Sequence, residues 1–305
     1  FFYKGIYMSD YTKALKDMQP SSDYLVAIDS DGCVFDAMGI KQRECFCPMM
    51  IGYFGLQPVA KAARDCKEFA DLFSKTRGAN RHKTVARILT ELLPLHPEVK
   101  LRSFEVPQFK HYVKWVNDPQ SLLSNEGLEK AIADASSEDA KSELKIALKW
   151  SKRVNEIIGE IVKNVPPFNY VRESLEKIAK NADIIVCSST PAEALQREWG
   201  EHDLAKYVKV IAGQEMGKKA EHLAIMCEKY NRDKILMMGD APGDHNAAKQ
   251  NDVLFYAINP GNEHKSWKRF YQEAFDKFMA GQYAGDYEAE IAAEFDQYLP
   301  ENPDW

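Results

Sequence analysis

Short apolar runs and longer amphipathic segments alternate along much of this chain. The short runs are bounded by turn-forming residues and predict buried strands at residues 24–28, 183–187, 208–212, 235–238 and 253–258. Segments with helical periodicity separate the later runs, at residues 170–181, 191–199, 218–230 and 244–250. This alternation predicts an α/β fold with a doubly wound, parallel, Rossmann-like sheet.

The long segment between the first and second predicted strands has a different pattern. It shows almost no period-two alternation and several helical stripes, and Pro166 and Pro167 end it. The clearest stripe is Leu144, Leu148, Ser151, Val154, Ile158, Ile161 and Val165. We therefore predict a large all-helical domain inserted into the α/β core. The predicted parts are a lead-in and first strand (1–36), the helical domain (37–167), the rest of the core (168–260) and a C-terminal extension packed on the core (261–305).

Chemically active side chains follow three of the predicted strands. Asp29 and Asp31, with Gly32, end the first strand, and Gly239, Asp240 and later Asp244 end the fourth. The second strand ends in the hydroxyls of Ser188, Ser189 and Thr190, and Lys218 and Lys219 open a later helix. Ligands gather at the carboxyl edge of parallel sheets, and Mg²⁺ prefers oxygen ligands and bridges acids to phosphate. The pattern predicts a phosphate site with magnesium.

Each fragment also has a simpler interpretation. Asp-Ser-Asp-Gly is composed of turn formers, Ser188 and Thr190 are suited to cap the helix that Pro191 opens, and adjacent lysines are commonly solvated. The segment from Gly213 to Lys219 is one residue short of a P-loop and lacks Ser or Thr after the lysine. Only the order of the fragments along the chain favours the phosphate site.

In that order, the fragments resemble the four motifs of the haloacid dehalogenase (HAD) superfamily, whose members are mostly phosphohydrolases. The matching residues are Asp29-x-Asp31-Gly32, Ser188, Lys218 or Lys219, and Gly239-Asp240-x-x-x-Asp244. The resemblance implies that the helical insertion is a cap domain, although the insertion is unusually long. It also favours phosphoryl transfer, since the phosphatases and phosphomutases of the superfamily keep an acid at the position of Asp31.

The candidate roles follow from this chemistry. Asp29 is the candidate nucleophile and Asp31 the general acid and base, which requires a raised pKa. Ser188, the amide of Ser189 and a lysine are expected to bind phosphate. The resemblance favours Lys219, with Lys218 as the alternative. Asp29, the Asp31 carbonyl, Asp240 and Asp244 are the candidate magnesium ligands. In the insertion, Arg77 and Arg81 are candidates for substrate specificity.

The composition limits the classes of binding partner and the cellular compartment that we expect. The formal charge of −6 offers no global basic field for nucleic acid, and no apolar run reaches the roughly 18 residues of a membrane span. The beginning of the sequence does not resemble a signal peptide, and the six cysteines lack the spacing of a disulfide framework, so we expect reduced thiols and a cytoplasmic protein. The leading hypothesis is a magnesium-dependent phosphatase for a small phosphorylated metabolite. The alternatives are a phosphomutase and a non-catalytic protein that binds a phosphorylated ligand.

Overall fold

The computed structural model describes residues 13–305, which group into two compact units. One unit, here called the sheet unit, contains residues up to Met38 and Asn164–Tyr298. The other, here called the helical unit, contains Gly39–Lys163 and the last seven residues, Leu299–Trp305. Of the predicted helical lead-in, residues 13–17 are helical and residues 1–12 lie outside the described chain.

A five-stranded sheet forms the centre of the sheet unit. Its strands are β1 (Leu25–Ile28), β2 (Asp183–Cys187), β3 (Val210–Ala212), β4 (Ile235–Gly239) and β5 (Leu254–Ala257). The strand order is β3-β2-β1-β4-β5, and every neighbouring pair is parallel. β1, β2 and β4 are buried along their whole length, as expected for a parallel sheet covered on both faces. The predicted α/β fold class is confirmed.

The helices are divided between the two units. Within and at the start of the helical unit they are α1 (Ala37–Ile40), α2 (Cys47–Tyr53), α3 (Ala60–Leu72), α4 (Arg81–Arg87), α5 (Leu93–Leu95), α6 (Pro97–Leu101), α7 (Lys110–Asn117), α8 (Asn125–Asp134) and α9 (Glu138–Ile161). Two π-helical segments, Lys41–Phe46 and Ile88–Leu92, and a 3₁₀ turn at Gln57–Val59 complete the unit.

The remaining helices belong to the sheet unit. They are α10 (Val171–Ile178), α11 (Ala192–Glu201), α12 (Lys219–Cys227), α13 (Pro242–Gln250), α14 (Glu263–Arg269), α15 (Phe275–Met279) and α16 (Asp286–Gln297). A π-helical segment, Phe270–Ala274, joins α14 to α15, and 3₁₀ turns lie at Ala205–Tyr207, Gln214–Met216 and Arg232–Lys234. None of the helices in the described part of the chain is both long and apolar enough to span a bilayer.

The helical unit has its own core, to which α9 contributes one face. This face differs slightly from the predicted stripe, because Ala147 and Trp150 are fully buried whereas Ile161 is 46% exposed. Trp150 contacts Phe54 and Phe46, and Phe54 contacts Tyr112. These aromatic side chains bury large apolar areas, and Leu148 and Ile158 of the predicted stripe are partly buried and pack against the same core.

The C-terminal segment divides between the two units, which differs from the predicted packing of residues 261–305 on the core. α14, α15 and α16 belong to the sheet unit, but the last seven residues belong to the helical unit. There, the Trp305 ring lies 5.6 Å from the ring of Phe69 and 5.2 Å from that of His96. The Lys75 amide donates to the Pro300 carbonyl at 3.3 Å.

Candidate active site

Three neighbouring strands of the sheet end in the predicted site residues. Asp29 follows β1, Ser188 follows β2, and Asp240 follows β4. Since β1 lies between β2 and β4 and all three are parallel, the three residues meet at one edge of the sheet. The Asp29 amide still donates to the Met238 carbonyl at 3.0 Å, so the first acid stays registered against β4.

Lys219, the first residue of α12, joins two of the acids. Its Nζ lies 2.8 Å from Asp29 Oδ2 and 2.5 Å from Asp244 Oδ1. Both carboxylates are nearly fully enclosed, because Asp29 is 6% exposed and Asp244 is 0% exposed. Lys218 is exposed and precedes the helix, where its amide donates to Glu221 Oε2 at 2.8 Å. The structure therefore brings Lys219, and not the Lys218 ammonium, into contact with the site acids.

Asp244 is fixed by the first turn of α13. Its Oδ2 accepts hydrogen bonds from the amides of Asp240 at 3.1 Å and Ala241 at 3.0 Å. Gly239 makes room for this side chain, since a Cβ at that position would lie 2.3 Å from Asp244 Cγ. The glycine and the acid of the fourth motif are thus two halves of one packing arrangement.

Burial and charge act together on these groups. Burial raises the pKa of Asp29 to about 6, with Asp244 acting in the same direction and Lys219 opposing both. Burial alone would lower the pKa of Lys219, but Asp244 and Asp29 raise it well above its ordinary value, so this lysine is an ammonium. When ionised, the three carboxylates of Asp29, Asp240 and Asp244 exceed the single ammonium by two negative charges.

This charge and geometry fit a divalent cation. One carboxylate oxygen from each of the three acids lies within 4.8 Å of the others. Asp29 Oδ1 is buried and receives no hydrogen bond from the described residues. A buried, unsatisfied carboxylate oxygen beside two further acids is suited to a hard cation with oxygen ligands.

Two buried tryptophans hold the loop after β1. Trp199 Nε1 donates to Ser30 Oγ at 3.1 Å, and Trp267 Nε1 donates to the Cys33 carbonyl at 2.7 Å. Within the loop, Gly32 has a φ of 82° and donates to the Phe35 carbonyl at 2.8 Å. Sequence reasoning did not find the two tryptophans. Their only signal is general: the N–H of a buried tryptophan needs an acceptor.

The hydroxyl-rich end of β2 contacts the second acid of the first motif. Thr190 Oγ1 donates to Asp31 Oδ2 at 2.7 Å, and the Thr190 amide donates to the buried Ser188 Oγ at 3.3 Å. Pro191 is the N-cap of α11 and makes no side-chain capping bond. The alternative that Ser188 and Thr190 cap this helix is therefore wrong. Ser189 is exposed.

Arg77 and Arg81 both lie in the helical unit, in different surroundings. Arg77 is 5% exposed, and its Nη1 donates to the Leu72 carbonyl at 2.8 Å, at the end of α3. Arg81 is the first residue of α4 and is only partly buried. Its Nη1 donates to Asn155 Oδ1 at 2.8 Å.

Comparison with known proteins gives one family match. Residues 108–258 match the model of the haloacid dehalogenase-like hydrolases. The matched range contains Ser188, Lys219, Asp240 and Asp244, whereas Asp29 and Asp31 precede it and are connected to it by the sheet. No curated protein matches the sequence.

Solved structures of low sequence identity are also similar. A haloacid dehalogenase-like hydrolase from Streptococcus pneumoniae is 13% identical, covering 89% of this chain and 98% of that one with a TM-score of 0.41. A HAD-superfamily hydrolase of subfamily IA from Geobacter sulfurreducens is 14% identical, with 78% and 88% covered and a TM-score of 0.38. CbbY from Rhodobacter sphaeroides, in complex with phosphate, is 14% identical, with 78% and 86% covered and a TM-score of 0.39.

Proposed function

The chain belongs to the haloacid dehalogenase-like hydrolases, and from this premise we propose that it is a magnesium-dependent phosphatase acting on a small phosphorylated metabolite through an aspartyl-phosphate. The observation that carries the proposal is the contact of one ammonium, Lys219 Nζ, with two buried carboxylates at the edge of the sheet. Asp31 lies two residues from one of them, with a hydroxyl donor beside it.

In the first step, Asp29 is the nucleophile. One oxygen of its buried carboxylate attacks the phosphorus of the monoester. A bond forms between this Asp29 oxygen and phosphorus while the bond from phosphorus to the ester oxygen breaks. Asp31 gives a proton to the leaving oxygen, so the alcohol departs neutral.

In the second step, water hydrolyses the aspartyl-phosphate. Asp31, now ionised, takes a proton from the attacking water, whose oxygen bonds to phosphorus as the bond to Asp29 breaks. Inorganic phosphate leaves, and both acids return to their starting states. Thr190, which donates to Asp31 Oδ2, would orient this carboxyl group in both steps.

The phosphoryl group would be bound by the Ser188 hydroxyl, the Ser189 amide and Lys219. Lys219 is favoured over Lys218 because only its ammonium contacts site acids among the described residues. Mg²⁺ would be held by Asp29, the Asp31 carbonyl, Asp240 and Asp244, and when bound it would offset the negative charge of the phosphoryl group. Asp244, whose oxygens also accept from Lys219 and from the amides of Asp240 and Ala241, would contribute either directly or through water.

We propose that the inserted helical unit serves as the cap domain of this enzyme. We also propose that the protein is located in the cytoplasm. All six cysteines are free thiols, which supports a reducing compartment.

The test is release of phosphate from a panel of phosphorylated metabolites with Mg²⁺. Wild type, Asp29→Asn and Asp36→Asn are compared, because Asp36 is an exposed acid on the same segment and serves as the matched control. We expect release by wild type and Asp36→Asn, and loss of release in Asp29→Asn and in EDTA. Rapid quenching followed by mass spectrometry should find a phosphoryl group on Asp29.

The other outcomes separate the alternatives. Release that persists in Asp29→Asn contradicts the nucleophile. A sugar phosphate that is isomerised without release identifies a phosphomutase. Binding of phosphorylated compounds without turnover of any of them identifies a non-catalytic binding protein.

A further inference from the structure

The helical unit contains a guanidinium whose hydrogen bonds go only to neutral groups. Arg81 Nη1 donates to Asn155 Oδ1 at 2.8 Å, to Ser151 Oγ at 3.2 Å and to the Ser151 carbonyl at 3.3 Å. Among the described residues, no carboxylate forms an ion pair with it. These acceptors all use one nitrogen, and in the described part of the chain Nη2 and Nε donate to no acceptor.

The aromatic ring of Phe46 supports the same guanidinium. The Arg81 guanidinium carbon lies 4.7 Å from the ring centroid, and Lys67 Nζ lies 5.1 Å from it. The Lys67 ammonium is matched by the buried carboxylate of Asp71 and also donates to Gln42 Oε1 at 2.9 Å. Of these two cations on one ring, only Arg81 keeps an uncompensated charge.

The neighbours of Arg81 do not supply an anion. Burial lowers the pKa of Arg81 to about 10, and only the phenol of Tyr112 opposes this effect. Burial raises the pKa of that phenol well above its ordinary value, so Tyr112 is neutral at pH 7. His82 is neutral too, because burial lowers its pKa to about 3. Arg81 is therefore still charged at pH 7, and this partly buried charge would be stabilised by a counter-ion.

We propose that Arg81 is an oxyanion-binding site of the helical unit, which takes a carboxylate or phosphate group on its Nη2 and Nε donors. A guanidinium presents paired N–H groups that match the two oxygens of such a group. Ser151, Asn155 and Phe46 fix the plane of the guanidinium in advance. Arg77, the other arginine that the sequence singled out, binds the end of α3 instead.

The anion has two sources with the same chemistry. It is either a second anionic group of the substrate or a free anion such as phosphate. The first source rests on the proposed phosphatase function and would define the substrate class as phosphomonoesters that carry a further carboxylate or phosphate. The site itself does not depend on catalysis.

Binding is tested by calorimetry with malonate and with inorganic phosphate in EDTA, using the full chain. Arg81→Gln is compared with Arg153→Gln, the matched control. Arg153 lies on α9 with the two side chains that hold Arg81, but pairs with Glu156 at 2.9 Å. We expect malonate affinity to fall about tenfold or more in Arg81→Gln and to stay unchanged in Arg153→Gln. Arg81→Lys keeps the charge but loses the planar guanidinium, so its malonate affinity should lie between those of Arg81→Gln and wild type. This variant replaces Arg81→Gln in the test if Arg81→Gln does not fold.

Turnover distinguishes the two sources. For each variant, kcat/KM is measured on phosphomonoesters of similar size with and without a second anionic group. If Arg81→Gln loses malonate binding and its kcat/KM falls only for esters with a second anionic group, the anion at Arg81 is part of the substrate. If Arg81→Gln loses malonate binding but the ratio of kcat/KM between esters with and without a second anionic group is unchanged, the anion at Arg81 is a free anion. Unchanged malonate binding in Arg81→Gln overturns the site, even if wild type releases no phosphate from any ester.

Discussion

At the residue scale, the site depends on one ammonium that separates two carboxylates. Asp29 and Asp244 are both buried, and Lys219 is the cation between them. Two like charges held together in a low-dielectric environment repel each other strongly. The lysine therefore has a structural role in addition to the proposed contact with phosphate.

Replacement of this lysine gives the first prediction. Lys219→Gln should lower kcat/KM for phosphate release by about 100-fold or more, since it removes charge stabilisation at the reacting group. Lys218→Gln should have a much smaller effect, because Lys218 is exposed before α12. Steady-state kinetics of the two variants, with the exposed Lys249→Gln as control, decides between the adjacent lysines. A larger loss in Lys218→Gln would reverse the assignment.

A second residue-scale prediction concerns Gly239. In Gly239→Ala, the added Cβ would overlap Asp244 Cγ, so the acid or its helix must move. We expect the free energy of unfolding to fall by about 1–3 kcal/mol, as for other overpacked cores. Gly243→Ala is the matched control, because it lies in α13 with no atom within 4 Å of the new Cβ. Chemical denaturation should find it neutral or slightly stabilised. Equal stability of the two variants would contradict the packing argument.

At the element scale, Asp183 ties the beginning of the sheet together. It starts β2 and is 4% exposed. It accepts hydrogen bonds from Ser21 Oγ at 2.6 Å and Tyr230 Oη at 2.7 Å, and it pairs with Lys209 Nζ at 3.0 Å. One carboxylate thus joins the segment before β1 to the residues before β3 and after α12.

The third prediction follows from the pKa of this carboxyl. Burial alone would raise the pKa of Asp183, but the hydrogen bonds from Ser21 and Tyr230 outweigh it and lower the pKa from 3.8 to about 2. Because the folded pKa lies below the unfolded one, the stabilisation is complete above about pH 4 and is lost between about pH 4 and pH 2. It amounts to up to about 2 kcal/mol.

Asp183→Asn should therefore lower the free energy of unfolding at pH 7, and its difference from wild type should shrink as the pH falls below 4. Urea unfolding across this pH range is the measurement. The control is Asp23→Asn, because Asp23 lies in the segment before β1 with an 82% exposed side chain, and this variant should stay close to wild type. A difference that is constant with pH would show that the charge of Asp183 has no part in the effect.

Sequence patterns predicted the elements of the sheet unit closely, because buried strands and their flanking acids have strong local signals. β2 was predicted with its observed bounds, and β1 and β4 to within one residue. α16 was missed. Only Ile291 and Phe295 of this helix are buried, so its apolar stripe is too short to stand out among acids and alanines.

The parts of the site that depend on distant contacts could not be predicted. No local pattern connects Trp267 to the Cys33 carbonyl across more than 200 residues. The choice between Lys218 and Lys219 depends on which residue begins α12. Hydrophobic periodicity does not locate a helix boundary to within one residue. The contact of Trp305 with Phe69 is similar, because nothing in the last seven residues indicates a return to the helical unit.

At the scale of the whole molecule, strands that are neighbours in the sheet lie far apart in the sequence. Leu25 of β1 pairs with Asp183 of β2 on one side and with Ile235 of β4 on the other. The complete helical insertion lies between β1 and both of its partners. The middle strand of the sheet therefore precedes both of its partners in the chain, and its pairing cannot be complete until β4 has been made.

This arrangement has a consequence for how the protein folds during synthesis. β1 is an apolar strand that lacks both neighbours until β2 has emerged and one neighbour until β4 has emerged, and unpaired strands are prone to aggregate. The helical insertion, which is rich in local contacts, can form well before the sheet. Pulse-labelled hydrogen exchange during refolding should find amides of α9 protected before those of β1. Earlier protection of β1 would contradict this order. In that case β1 would be protected early, and the chain would have less need of slow translation or of a chaperone than the strand order implies.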